Sequence, residues 1–130
     1  MTTNSTPFAL RLEWARSRFD DGDFSAAVAL LRELVEESES ETSEHLHGTA
    51  DLRLMLARAY FGSAQLGRAE TLLRALAEES PDDGYVHLLL GRTLQRQRRY
   101  TDAQRHLALA EVLGDYERPA AYGGVSVATR

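Results

Sequence analysis

Arginine is the residue type whose placement most invites a chemical reading. The chain has 15 Arg and no Lys. Arg16, Arg58 and Arg92 each follow a leucine by four residues, after Leu12, Leu54 and Leu88. Three residues further on stand Phe19, Phe61 and Gln95, with Arg96 beside the last of them. Residues spaced by three and four share one face of a helix. Each stretch therefore predicts a stripe of leucine, guanidinium and, twice, an aromatic ring. Arginine offers forked, charge-assisted hydrogen bonds to carboxylates, and Leu and Phe offer apolar contact. The competing reading is structural: Arg pairs with a neighbouring helix, or lays its stem over apolar surface with its head in water.

Other candidates for chemistry are weaker. His45 and His47, with Glu44 beside them, alternate in a polar segment and do not present two metal ligands from one helical face. They read as a solvated loop. His87 and His106 read as half-buried packing residues. Seven acids lie between Glu33 and Asp51, and five arginines between Arg92 and Arg105, and both stretches read as solvated surfaces. No Ser-His-Asp order, phosphate-binding glycine loop or catalytic carboxylate pair stands out, so no enzymatic activity, cofactor or metal is expected. The net charge of -5 argues against bulk nucleic-acid binding. With no Cys there is no disulfide and no thiolate site. No apolar run approaches a membrane span, no signal pattern opens the chain, and a cytoplasmic location without membrane association is expected.

These stripes need elements to hold them. The 130 residues are 43% hydrophobic, and helix formers dominate from Pro7 to Leu113. Breakers at Gly22-Asp23, Gly48-Thr49, Gly62, Pro81-Asp82-Asp83-Gly84 and Gly114-Asp115 divide the chain. The spacing predicts helices over about 7–21, 24–38, 50–62, 66–79, 84–97 and 101–113. Asp23 is placed as an N-cap for the second and Thr49 as the residue before the third. Residues 1–6 are expected as a flexible N-terminus, 42–49 as a linker, and 116–130 as a non-helical tail.

The chain also repeats. Shifted by 34, residues 50–83 meet 84–117, with Leu54 on Leu88, Leu56 on Leu90, Arg58 on Arg92, Ala69 on Ala103 and Leu73 on Leu107. Shifted by 42, Leu12, Ala15, Arg16, Phe19, Ala27, Leu30, Leu31, Arg32, Leu34 and Glu36-Glu37-Ser38 meet identical residues. Ala15, Ala57 and Gly91 are small where the two helices of a hairpin must approach, as are Ala27, Ala69 and Ala103 opposite them. One hairpin cannot bury its apolar face alone, so three must stack.

A 34-residue helix–turn–helix period resembles the tetratricopeptide repeat family, over about 8–117. The middle unit reads Arg53-x2-Leu56-Ala57-x2-Tyr60, then Ala69-x3-Leu73, then Pro81. The last reads His87-x2-Leu90-Gly91-x2-Leu94, then Ala103-x3-Leu107. The first reads Arg11-x2-Trp14-Ala15-x2-Arg18, then Ala27-x3-Leu31. The first and last lack the family's proline. The resemblance implies an all-α, α-α superhelix, a right-handed solenoid of three antiparallel helix hairpins at about 8–41, 50–83 and 84–117 within a single domain, 7–115. It also implies that the first helix of each unit lines a concave groove. The groove residues would be Leu12, Arg16, Phe19, Leu54, Arg58, Phe61, Leu88, Arg92, Gln95 and Arg96, and the occupant an acidic peptide or protein. The Lys and Asn pattern with which some chaperone-binding relatives clamp a C-terminal carboxylate is absent, so that specificity is not carried over. The alternative is a self-assembling module, a homodimer through the C-terminal end, where Leu107, Leu109, Val112 and Leu113 leave an apolar face.

Overall fold

A computed structural model describes residues 6–40 and 46–114. Residues 1–5, residues 42–45 of the expected linker (with Glu44 and His45) and the tail from Asp115 onward lie outside the described residues. The described residues form six helices and no strand: α1 (Phe8–Asp20), α2 (Phe24–Glu39), α3 (Leu46–Gly62), α4 (Leu66–Glu79), α5 (Gly84–Arg96) and α6 (Tyr100–Leu113). Each helix packs on its chain neighbours, and α3 also touches α5. The result is a stack of three antiparallel hairpins, an all-α superhelical solenoid. The odd-numbered helices form one layer and the even-numbered helices the other.

The core follows the repeat. Ala15, Ala57, Ala27, Ala69 and Ala103 are buried, with Leu31, Leu73 and Leu90 filling the layers. Gly91 shows why a small residue stands there. A Cβ added to it would lie 2.6 Å from the Leu107 side chain and 3.3 Å from the Ala103 carbonyl oxygen.

The three hairpin turns are one motif used three times. The N–H groups of Asp23, Gln65 and Arg99 donate to the carbonyls of Arg18, Tyr60 and Leu94, five residues back. The residue before each donor is left-handed: Gly22 (φ 83), Ala64 (φ 63) and Arg98 (φ 66). This is a Schellman termination, and it favours glycine because a Cβ there meets the following carbonyl. Only the first repeat supplies glycine. Ala64→Gly and Arg98→Gly are each expected to stabilise the fold by about 0.5–1 kcal/mol, the relief of strain exceeding the extra freedom of the unfolded chain. Gly22→Ala should shift stability the other way. Thermal unfolding of the three variants checks both signs.

Two helix starts use a side chain. Asp23 accepts from the Ala26 N–H at 3.2 Å, as the sequence predicts. Asp83 accepts from Tyr85 and Val86 at 3.0 and 3.2 Å. The third helix departs from expectation. It begins at Leu46 rather than after Thr49, and Thr49 is buried within it. Thr49, Leu52, Arg53 and Leu56 are all buried at helical spacing, so packing against the core holds a turn that Gly48 and Thr49 alone would end.

His87 and His106 are more specific than packing residues. The Nε2 atom of buried His87 lies 2.8 Å from the Pro81 carbonyl oxygen, so it carries the proton and donates. His87 Nδ1 is then an acceptor, and His106 Nδ1, 3.1 Å away, donates to it. The ring centroids are 5.4 Å apart and the planes 18° from parallel. That separation is the nitrogen–nitrogen distance plus the two ring radii, so the rings meet edge to edge rather than face to face. Burial first, then His87, Arg74 and Arg105, hold His106 below the ordinary histidine range, with Asp102 opposing. A depressed folded-state value makes the unfolded chain bind protons first. The contribution to stability is therefore complete above the unfolded value of about 6.5 and is lost as pH falls from there through the lower folded-state value. Melting temperature should drop between neutral pH and mild acid, and His106→Gln should flatten that part of the profile.

Candidate functional site

The stripe of the odd-numbered helices is assembled, but its members differ in what they offer. On α1, Leu12 is half-buried, Arg16 exposed and Phe19 only 4% exposed. Phe19 packs edge-on to Phe24 with centroids 5.1 Å apart, so it is a core ring more than a surface for a ligand. On α3, Leu54, Arg58 and Phe61 are half-buried. On α5, Leu88 is half-buried and Arg92, Gln95 and Arg96 are exposed.

Two guanidiniums cross between neighbouring hairpins. Arg58 of α3 stands over the Phe19 ring of α1, 4.6 Å from its centroid. Arg96 of α5 stands over the Phe61 ring of α3 at 5.0 Å. Each is a cation–π contact from one unit to the ring of the unit before. The two are not equivalent in register. Arg92, not Arg96, is the counterpart of Arg58, so the second contact is displaced by one helical turn. Among the described residues, Arg16, Arg92 and Arg96 form no ion pair. The layer thus carries leucine side chains, partly covered rings and, at Arg16, Arg92 and Arg96, cations that pair with no acid among the described residues. It can receive carboxylates together with apolar side chains.

The buried arginines are different ones. Arg11 pairs with Glu37 at 2.9 Å and donates from Nε to the Thr6 carbonyl at 3.2 Å. Arg53 holds both Glu79 oxygens, at 2.7 and 2.9 Å, with Glu39 at 3.9 Å. Each pair ties the first helix of a hairpin to the end of its second. The accepting Glu79 carboxylate raises Arg53 above the ordinary guanidinium value, and Arg53 in turn lowers Glu79. In the third hairpin, His87 occupies this place. The signal was available in the sequence, because Arg11 to Glu37 and Arg53 to Glu79 are both 26 residues apart. A second bridge joins the last two hairpins: Glu70 of α4 accepts from Arg74 at 2.9 Å and from Arg99 at 2.8 Å. Burial pushes the Glu70 carboxyl up, but the two arginines outweigh it and hold it below the carboxylate range. Arg99 of the basic run is therefore a tie between hairpins.

Stacked hairpins with one open, cation-bearing layer define a helical-repeat interaction module. The tetratricopeptide repeat profile matches residues 18–93, and the chain belongs to the tetratricopeptide repeat family. Members of that family are in general protein-interaction or scaffold modules. No curated protein sequence matches the chain. Two solved structures are similar in fold. MamA (MSR-1 C2) is 16% identical with a TM-score of 0.69, over 82% of this chain and 57% of that one. An arginine-to-glutamate mutant of MamA is 16% identical with a TM-score of 0.70, over 87% of this chain and 78% of that one. The chain spans little more than half the length of the first of these, and the likeness is one of fold. Among the described residues no helix is long and apolar enough to cross a membrane, and no three His, Cys, Asp or Glu side chains come together to hold a metal.

Proposed function

We propose that the layer of α1, α3 and α5 binds an acidic peptide or an acidic segment of a protein. Arg16, Arg92 and Arg96 provide the charge, Leu12, Leu54 and Leu88 the apolar contact. Arg58 on Phe19 and Arg96 on Phe61 fix the spacing between hairpins. The observation that carries the reading is the pair of guanidinium-on-ring contacts, which set arginines at successive steps of one layer. Arg96, stacked on Phe61 and exposed, keeps its N–H edges available for in-plane carboxylates while losing little freedom on binding. The reading is of binding and not of catalysis. The buried side chains of Arg11, Arg53 and His87 are engaged in holding the hairpins together. The test is fluorescence anisotropy with a labelled peptide of alternating Glu and Leu. The wild-type chain should bind it, and the Arg16→Glu/Arg92→Glu/Arg96→Glu variant should not.

Self-assembly without a separate ligand is the second reading. It is favoured at the C-terminal end by Leu109 and Val112, which are exposed where the first hairpin has Glu33 and Glu36.

A further inference from the structure

The two ends of the stack are unlike, and repeat register shows how. Position by position, Leu10 of α1 corresponds to Leu52 of α3 and Val86 of α5. Trp14 corresponds to Leu56 and Leu90. Leu52 and Leu56 are 8% and 5% exposed, and Val86 and Leu90 are 3% and 0%. Leu10 and Trp14 are 44% and 48% exposed. The difference is the preceding helix. α3 receives α2 and α5 receives α4, whereas no described helix precedes α1. The first hairpin therefore presents, uncovered, the face that the others use to receive a helix.

The flanks of that face say what fits it. On the α1 wheel, Leu10, Trp14 and Ser17 form the stripe, with Glu13 along one border and Arg18 along the other. Both are exposed, and neither forms an ion pair among the described residues. Two parallel helices meeting through such a stripe bring a residue of one border beside the residue five further on from the partner helix. Glu13 and Arg18 are five apart. The chain's own α6 is a poorer occupant, because it carries Glu111 where α2 has buried Val35 and α4 has Ala77.

We propose that this face is a self-association surface: a second copy lays its α1 parallel to the first about a two-fold axis, Leu10 and Trp14 packing on their counterparts, and Glu13 of each copy pairing with Arg18 of the other. The contact is isologous, so one patch suffices for both partners and the assembly closes at two. It is small, and the dimer is correspondingly weak and concentration-dependent. It forms whether or not the open layer is occupied.

Trp14 is the only tryptophan, so its emission reports the contact directly. Sedimentation from low micromolar to several hundred micromolar protein should show the 14.5 kDa chain giving way to a species of twice that mass, with a blue shift in emission. Trp14→Glu, at a half-exposed site, should abolish dimerisation. Glu13→Arg should weaken it at least tenfold, and the Glu13→Arg/Arg18→Glu double exchange should restore it. Val112→Glu should leave it unchanged. A monomer at every concentration, a dimer that survives Trp14→Glu or is lost in Val112→Glu, or a double exchange that restores nothing would each overturn the proposal.

Discussion

Glu79→Ala is expected to destabilise the protein by about 2–3 kcal/mol, while Arg53→Met costs less than about 1 kcal/mol. Both changes delete the same ion pair, and the asymmetry comes from where its two ends lie. The Arg53 side chain is 9% exposed and that of Glu79 is 51% exposed. Removing the glutamate leaves a guanidinium inside the hairpin, stripped of its two short bonds, with only Glu39 at 3.9 Å. Removing the arginine in favour of an apolar chain of similar length returns the glutamate to water, which it already half occupies. Denaturant unfolding of the two single variants and the double variant measures the difference. Equal costs would mean that the pair behaves as a surface salt bridge. Arg11 and Glu37 should show the same ordering of effects, since the arginine is again the buried end.

The second large effect concerns binding. Reversing Arg16, Arg92 and Arg96 to Glu is expected to weaken the acidic peptide at least a hundredfold, equivalent to about 2.7 kcal/mol. The melting temperature should fall only slightly, because all three side chains are exposed and form no ion pair among the described residues, and the one ring contact given up, Arg96 on half-buried Phe61, lies at the surface. Arg58 is a different case. It lies over Phe19, a core ring, so its replacement would mix packing with recognition. Raising salt should weaken the wild-type complex but not the residual binding of the variant, whose three glutamates repel the peptide, since exposed charges are screened within about 10 Å at 0.1 M. Unchanged affinity in the triple variant would remove the open layer as the binding surface.

Much of this fold was legible because the repeat is written in small and large apolar residues. Ala27, Ala69 and Ala103, with Leu31, Leu73 and Leu107, recur at fixed offsets, and a stack of hairpins is the arrangement that buries them all. Helix boundaries followed where a local signal acts locally, as at Asp23. They failed at Thr49, where burial in the core overrides a polar, glycine-containing stretch. The candidate site was legible as a stripe but not as a surface. Spacing puts Leu12, Arg16 and Phe19 on one face, yet only tertiary packing decides that Phe19 is buried against Phe24 of its own hairpin and beneath Arg58 of the next. The structural arginines were overlooked for a related reason. Arg11 and Arg53 sit where the family pattern has an aromatic residue, and their partners are 26 residues away, beyond any helical neighbour. The edge-to-edge histidines belong to the same class: the hydrogen-bond partner of His106 is 19 residues away, and the turn at Pro81 fixes which nitrogen of His87 donates.

The pattern of contacts, each helix chiefly on its chain neighbours, bears on how the molecule forms. No distant strands have to find one another, so little loop entropy is lost before native contacts begin to repay it. Helical domains of this low contact order fold in microseconds to milliseconds. Such a chain can also open piecemeal, the outer hairpins loosening while the central one, covered on both sides, stays closed. Amide hydrogen exchange would then be slowest in α3 and α4, and a ligand spanning all three units would work partly by holding the ends shut.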